Sequence, residues 1–261
     1  MEKLNLIGNT FAGDKSATHG KNSKYIEWMV DGSAKVSVHV DDGLFQPSPT
    51  DRRFGWILES QAIIPEVYAN ASLVLDNFEC IFTHSKELLD LDPRFKFAPV
   101  GTHWIKDPSI TEKNKSVSMI ASNKIMCLGH AVRHEWIKRL KDKVDFFGRG
   151  FKEIESKEEG LNDYMFSVAI ENCSVPNYFT EKLGDCFATG TIPVYLGCSN
   201  IGEFFNTDGI INLTHELELE SLTEELYLSK LDAVKDNFER IKKYEIPEDW
   251  MYETYLKEAL V

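Results

Sequence analysis

Short apolar runs recur along the chain at 4–8, 34–40, 54–58, 80–83, 95–98, 117–121, 144–147, 167–170, 192–196 and 209–213, each only long enough for a buried strand. Helical patterns lie between many of them. At 130–141, Val132, Trp136, Ile137 and Leu140 fall on one face, and 181–188 forms another such stretch. Strands that are apolar throughout must be covered on both faces, and alternation with helices supplies that cover. The expected class is therefore α/β, with parallel sheets. The 261 residues suffice for one large domain or two small ones. The stretch 106–116 is polar and carries Pro108, so it reads as a linker between a domain at 1–105 and a second at 117–240. Pro247 restarts a final helix within 241–261, which could cross back to the first domain.

Composition removes several functions. A net charge of −13 argues against general nucleic-acid binding, which requires a basic face, although a local pocket of a few cations remains compatible with it. No stretch approaches the ~18 apolar residues of a membrane span, and the N-terminus has no signal-peptide apolar region, so a cytoplasmic location is expected. The five cysteines are scattered without a CxxC pair, against a zinc site or a disulfide framework. Gly148-Arg149-Gly150 follows a strand, but the third glycine of a dinucleotide loop would fall at Glu153. His39-Val40-Asp41-Asp42 has the composition of a metal site and reads better as the start of a surface loop. No GxSxG elbow is present.

The densest concentration of chemistry is Phe166 to Gly197. A buried strand ends at Asn172, a polar loop follows, and Thr180 is placed to cap a helix whose first turn holds Glu181 and Lys182. Gly190 stops that helix, and 192–196 returns as the next strand. Asn172 thus emerges at the carboxyl edge of the sheet, where open α/β sheets bind ligands. Free amides at a helix N-terminus with a lysine beside them suit a diphosphate, and Glu181 could accept from neighbouring ribose hydroxyls. From the residues alone, Glu181 and Lys182 can equally be solvated first-turn residues of an ordinary helix.

The run Phe166…Ala169-Ile170-Glu171-Asn172…Tyr178-Phe179-Thr180-Glu181-Lys182…Gly190-Thr191-Ile192-Pro193-Val194…Gly197 closely resembles the donor signature of the α-1,3/1,4-fucosyltransferases, glycosyltransferase family 10. Upstream, Ser118-Met119-Ile120-Ala121-Ser122-Asn123 and the helix from Arg133 resemble that family's strand and phosphate-binding arginine helix. The resemblance implies two Rossmann-like domains facing a cleft, the GT-B type of fold. It implies inverting transfer of fucose from GDP-fucose to a carbohydrate hydroxyl, with no cofactor and no metal. Arg133 and Lys182 would hold the donor diphosphate, Glu181 the ribose, and Asn172 and Tyr178 the nucleotide-sugar or its phosphates. The family's strand-end catalytic glutamate corresponds to Glu59, within Leu58-Glu59-Ser60 where the family reads Gly-Glu-Asn. Glu66 and Asp41 are the alternative carboxylates. His103-Trp104 could face the cleft, and Asn200–Phe205 resembles a phenylalanine loop near the donor. Two other readings stay open: transfer of a different nucleotide-linked sugar, and a catalytically silent protein that binds sugar nucleotides or glycans.

Overall fold

The computed structural model describes residues 1–9 and 11–261. It divides into two compact units. The first comprises Met1–Val100, Pro176–Tyr178 and Tyr244–Val261; the second comprises Gly101–Val175 and Phe179–Lys243.

In the first unit β1 (Glu2–Gly8), β2 (Ile26–Met29), β3 (Val36–Val40), β4 (Arg52–Ile57), β5 (Cys80–Thr83) and β6 (Phe95–Phe97) form one sheet in the order β2-β1-β3-β4-β5-β6. Every pairing is parallel. Helices α1 (Pro65–Asn70) and α2 (Lys86–Leu91) contribute Val67, Tyr68 and Leu88 to a cluster with Ile57, Ile81 and Phe95. The opposite cluster joins Val38, Phe54, Trp56 and Phe82. Trp56 has no exposed surface, and truncating an aromatic so enclosed costs about 3–5 kcal/mol. The strand β2 has no counterpart among the apolar runs, because Ile-Glu-Trp-Met is short and lies at the sheet edge.

In the second unit β7 (Lys115–Ile120), β8 (Asp145–Phe147), β9 (Tyr164–Ile170), β10 (Ile192–Leu196) and β11 (Ile211–Asn212) form a sheet in the order β11-β10-β9-β7-β8, again parallel throughout. All seven residues of β9 are buried, as the central strand of a doubly covered sheet must be. Helices α3 (Leu128–Leu140), α4 (Glu181–Thr189), α5 (Glu224–Ser229) and α6 (Leu231–Ile241) surround it, with Trp136, Leu140, Tyr227 and Val234 in its core. Thr180 caps α4, and Gly190 closes it in the left-handed conformation, φ 71°.

The stretch 106–116, expected as a linker, lies within the second unit and is pinned there. Lys113 Nζ donates to the carbonyls of Leu161, Asn162 and Thr189 and to the hydroxyls of Thr111 and Thr191. The Lys113 ammonium serves these acceptors, while Lys106, Asp107, Ser109, Glu112, Asn114, Lys115 and Ser116 are exposed. The C-terminal segment, with α7 (Pro247–Met251), packs with the first unit, where Met251 and Leu256 join Phe54 and Trp56 in the core. Among the described residues no helix is long and apolar enough to cross a membrane.

Both sheets share one logic. The order reverses between β1 and β3 in the first and between β7 and β9 in the second. Beyond the carboxyl ends of strands at such a switch point, adjacent connections diverge and leave a crevice for a ligand.

Candidate active site

At the switch point of the second sheet, β7 leads into α3 and β9 ends beside it. Gly129, in the first turn of α3, touches the backbone of Asn172. A Cβ there would lie 2.0 Å from the Asn172 carbonyl oxygen, so the position admits only glycine without a shift. One turn on, Arg133 shares that helix face. Its guanidinium Nη2 donates to Asn172 Oδ1 at 3.0 Å, with Arg133 almost wholly buried. The chain brings these two residues together by placing each at the crevice from a different strand.

The loop after β9 turns into α4 over a buried carboxylate. Glu171 accepts from the Thr180 amide at 2.8 Å and the Thr180 hydroxyl at 2.7 Å. Lys182 donates to the same hydroxyl at 3.1 Å and faces Glu171 at 3.6 Å and Glu181 at 3.5 Å. Glu181 also lies 4.0 Å from Lys157, which is held at 2.8 Å by the buried Asp185, one turn along α4. Asp185 in turn accepts from the Trp104 amide.

The electrostatics follow from burial opposed by pairing. Burial works against the charge of Lys182 and Lys157, and the facing carboxylates outweigh it and hold both above the ordinary lysine range. Burial equally opposes ionisation of Glu181, but the Lys182 and Lys157 ammoniums prevail and hold its carboxyl down at about 2. Burial pushes the Glu171 and Asp185 carboxyls up. Burial lowers the His130 pKa, and the Arg133 and Lys182 charges lower it further. Lys157 and Lys182 are thus paired with the three carboxylates of Glu171, Glu181 and Asp185. An incoming diphosphate can take the place of carboxylate partners around Lys182.

Of the expected donor residues, Arg133, Asn172, Glu181 and Lys182 lie together in the second unit. Tyr178 belongs to the first, buried, with its ring 5.0 Å from that of His84. Glu59 also belongs to the first unit, just past β4. Its carboxylate accepts from the Ser60 amide at 2.7 Å and is partly exposed. Asp41 is buried in the left-handed conformation, φ 53°, and both oxygens are engaged: Oδ1 with the Leu58 and Glu59 amides, Oδ2 with Asn9. Glu66 is exposed at the start of α1. His39 is buried in β3, its Nδ1 against the Gly43 carbonyl.

Sequence reasoning passed over Glu171, Lys157 and Asp185. A carboxylate at the end of a mostly apolar strand was a usable signal for Glu171, and the i,i+4 spacing from Glu181 was one for Asp185. Lys157 sits in a short 3-10 turn and carried none.

Two parallel α/β sheets, each with its order reversed once, are the architecture of the GT-B fold, which solved structures of an alpha1,3-fucosyltransferase and an alpha-glucosyltransferase share with this chain. A crystal structure of an alpha1,3-fucosyltransferase with GDP superposes with a TM-score of 0.57 at 14% identity, covering 98% of this chain and 88% of that one. The same enzyme type with GDP-fucose gives 0.52, also at 14% identity, covering 92% of this chain and 82% of that one. At such identity the likeness concerns the fold. Residues 110–255, more than half of the chain, match the profile of glycosyltransferase family 10 (fucosyltransferase), C-terminal part, and the chain belongs to that family. The alpha-(1,3)-fucosyltransferase FucT of Helicobacter pylori is 33% identical over 60 residues, 23% of this chain and 13% of that protein. The 4-galactosyl-N-acetylglucosaminide 3-alpha-L-fucosyltransferase of Pongo pygmaeus is 35% identical over 95 residues, 34% of this chain and 26% of that protein. The matched stretches thus span about a quarter or less of these relatives.

Proposed function

We propose that this chain transfers fucose from GDP-fucose to a carbohydrate hydroxyl with inversion. The observation that carries the reading is the meeting of Arg133, Asn172 and Lys182 at the switch point of the second sheet. Arg133 and Lys182 hold the diphosphate, Asn172 orients the guanidinium and Glu181 accepts from the ribose hydroxyls. Glu59 takes the acceptor proton as the acceptor oxygen attacks the anomeric carbon. The bond from that carbon to the β-phosphate oxygen breaks, and its electron pair leaves with GDP. Negative charge grows on the diphosphate at that moment, and fixed cations stabilise it more in the transition state than in the ground state. The scheme assigns this work to Arg133 and Lys182 and calls on no metal or cofactor.

The donor comes from the family and from the GDP-fucose complex of the structural relative; 4-galactosyl-N-acetylglucosaminides, named for the Pongo pygmaeus relative, are the first acceptors to try. A thermal-shift panel of GDP, UDP, GDP-fucose and NAD tests the donor. A ligand at 100 times its dissociation constant stabilises by about 2.7 kcal/mol. Stabilisation by GDP and GDP-fucose alone is expected, followed by GDP release when acceptor is added. Absence of any nucleotide shift would overturn the donor reading, and GDP binding without turnover would favour a silent binder.

A further inference from the structure

Glu59 follows a strand end, where backbone is usually loose, yet its peptide groups are gripped from both sides. Asp41 Oδ1 accepts from the Leu58 amide at 2.8 Å and from the Glu59 amide at 3.1 Å. On the other side the Tyr68 hydroxyl, from α1, donates to the Glu59 carbonyl at 2.7 Å. Tyr68 is buried, and its oxygen lies 3.1 Å from Nε2 of the wholly buried His84. With the Tyr68 proton committed to Glu59, His84 must donate through Nε2, which leaves Nδ1 as a lone pair. That nitrogen is buried and has no hydrogen-bond partner among the described residues. Burial drives the His84 pKa down to about 3, so the neutral, single-donor form persists at any working pH.

His84 is itself fixed by residues distant in sequence. Asn177, in the left-handed conformation at φ 65°, donates through Nδ2 to the His84 carbonyl at 3.1 Å, and the Tyr178 ring packs on the imidazole. An unbroken series of contacts therefore runs Tyr178, His84, Tyr68, Glu59. Removing Tyr68 or His84 leaves a buried donor or acceptor of the hydrogen-bonded part unsatisfied, which favours the observed arrangement.

We infer that Tyr68 and His84 are positioning residues for the reaction, fixing the peptide of Glu59 so that its carboxylate meets the acceptor hydroxyl in one orientation, with Tyr178 bracing His84. The inference rests on the reading of Glu59 as the base. A displacement of a catalytic group by about 1 Å is enough to cost a hundredfold in rate.

The test compares Tyr68→Phe, His84→Phe, His84→Gln and Glu59→Gln, using GDP-fucose with a 4-galactosyl-N-acetylglucosaminide, and follows hydrogen exchange at the Leu58 and Glu59 amides. Tyr68→Phe is expected to lower kcat at least tenfold while the GDP dissociation constant stays within twofold, and to speed exchange at both amides. His84→Gln retains an N–H toward Tyr68 and should keep more of kcat than His84→Phe. Wild-type kcat and unchanged exchange in Tyr68→Phe, beside an inactive Glu59→Gln, would overturn the positioning role and leave the base intact. An active Glu59→Gln would instead remove the base. Exchange unchanged in Tyr68→Phe overturns the grip on the backbone whatever the turnover shows.

Discussion

Arg133 Nη2 donates to Asn172 Oδ1 over 3.0 Å, and this one bond ties helix α3 to the end of β9 across the switch point of the second sheet. It helps to fix the plane of the guanidinium. A fork set in this way can bind phosphate oxygens in pairs, which a lysine cannot do.

Arg133→Ala should therefore weaken GDP binding by roughly tenfold to a hundredfold, since a charge-assisted hydrogen bond is worth about 1.5–3 kcal/mol. Arg133→Lys should recover only part of that loss. Lys182→Ala is expected to have a similar effect and to raise the Glu181 carboxyl, which loses its nearer ammonium. Titration calorimetry with GDP decides the matter: equal affinity in wild type, Arg133→Ala and Lys182→Ala would detach both cations from the diphosphate.

Gly129→Ala reverses a familiar expectation. Inside a helix, alanine is about 1 kcal/mol better than glycine. Here its Cβ would sit 2.0 Å from the Asn172 carbonyl oxygen, so α3 or the end of β9 must move. The expected result is a loss of about 1–3 kcal/mol in stability together with weaker GDP binding, because Arg133 and Asn172 move apart. Denaturant unfolding and calorimetry on the one variant check both. A more stable protein with unchanged affinity would mean that the close approach has no consequence.

The α/β class and the elements around the donor segment could be read from the chain because local chemistry specifies them. Thr180 has the hydroxyl for a cap, Gly190 the freedom for a left-handed stop, and β9 is apolar enough to be central. What could not be read is pairing over long separation. Lys157 meets Asp185 across 28 residues, and Asn177 meets the His84 carbonyl across 93. Nothing periodic marks either partner. Within the polar stretch 106–116, Lys113 likewise hides its role: its ammonium donates to carbonyls up to 76 residues away. Edge strand β2 escapes because a short half-exposed run lacks the apolar signal of the central strands.

Glu59→Gln separates donor binding from transfer. The amide keeps the shape of the side chain and can still accept from the Ser60 amide, but it cannot take a proton at working pH. General-base catalysis contributes roughly a hundred- to ten-thousand-fold, and a loss of that size in kcat is expected with GDP affinity unchanged. Transfer at the wild-type rate would move the role to another carboxylate. Asp41 is poorly suited, since its oxygens are engaged with Asn9, Leu58 and Glu59.

Glu248, in α7, gives the first unit a pH dependence of its own. Burial pushes its carboxyl up from 4.5 to about 7, against the hydrogen bonds that Oε1 accepts from the Ala17 amide at 2.6 Å and Trp28 Nε1 at 3.4 Å. Oε2 is buried without a partner among the described residues, so the neutral acid is the form the fold accepts. Between pH 4.5 and 7 the folded chain holds a proton that the unfolded chain has released. Stability must then fall as pH rises through this window, with the penalty fully present above 7. The shift corresponds to about 3 kcal/mol. Glu248→Gln imitates the protonated acid, so it should match wild type near pH 4 and exceed it by about 3 kcal/mol at pH 8. Unfolding curves for the two proteins at both pH values measure the difference directly. A constant offset between them would show that Glu248 does not titrate in this range, and a variant less stable at pH 8 would show that the carboxylate is favoured there.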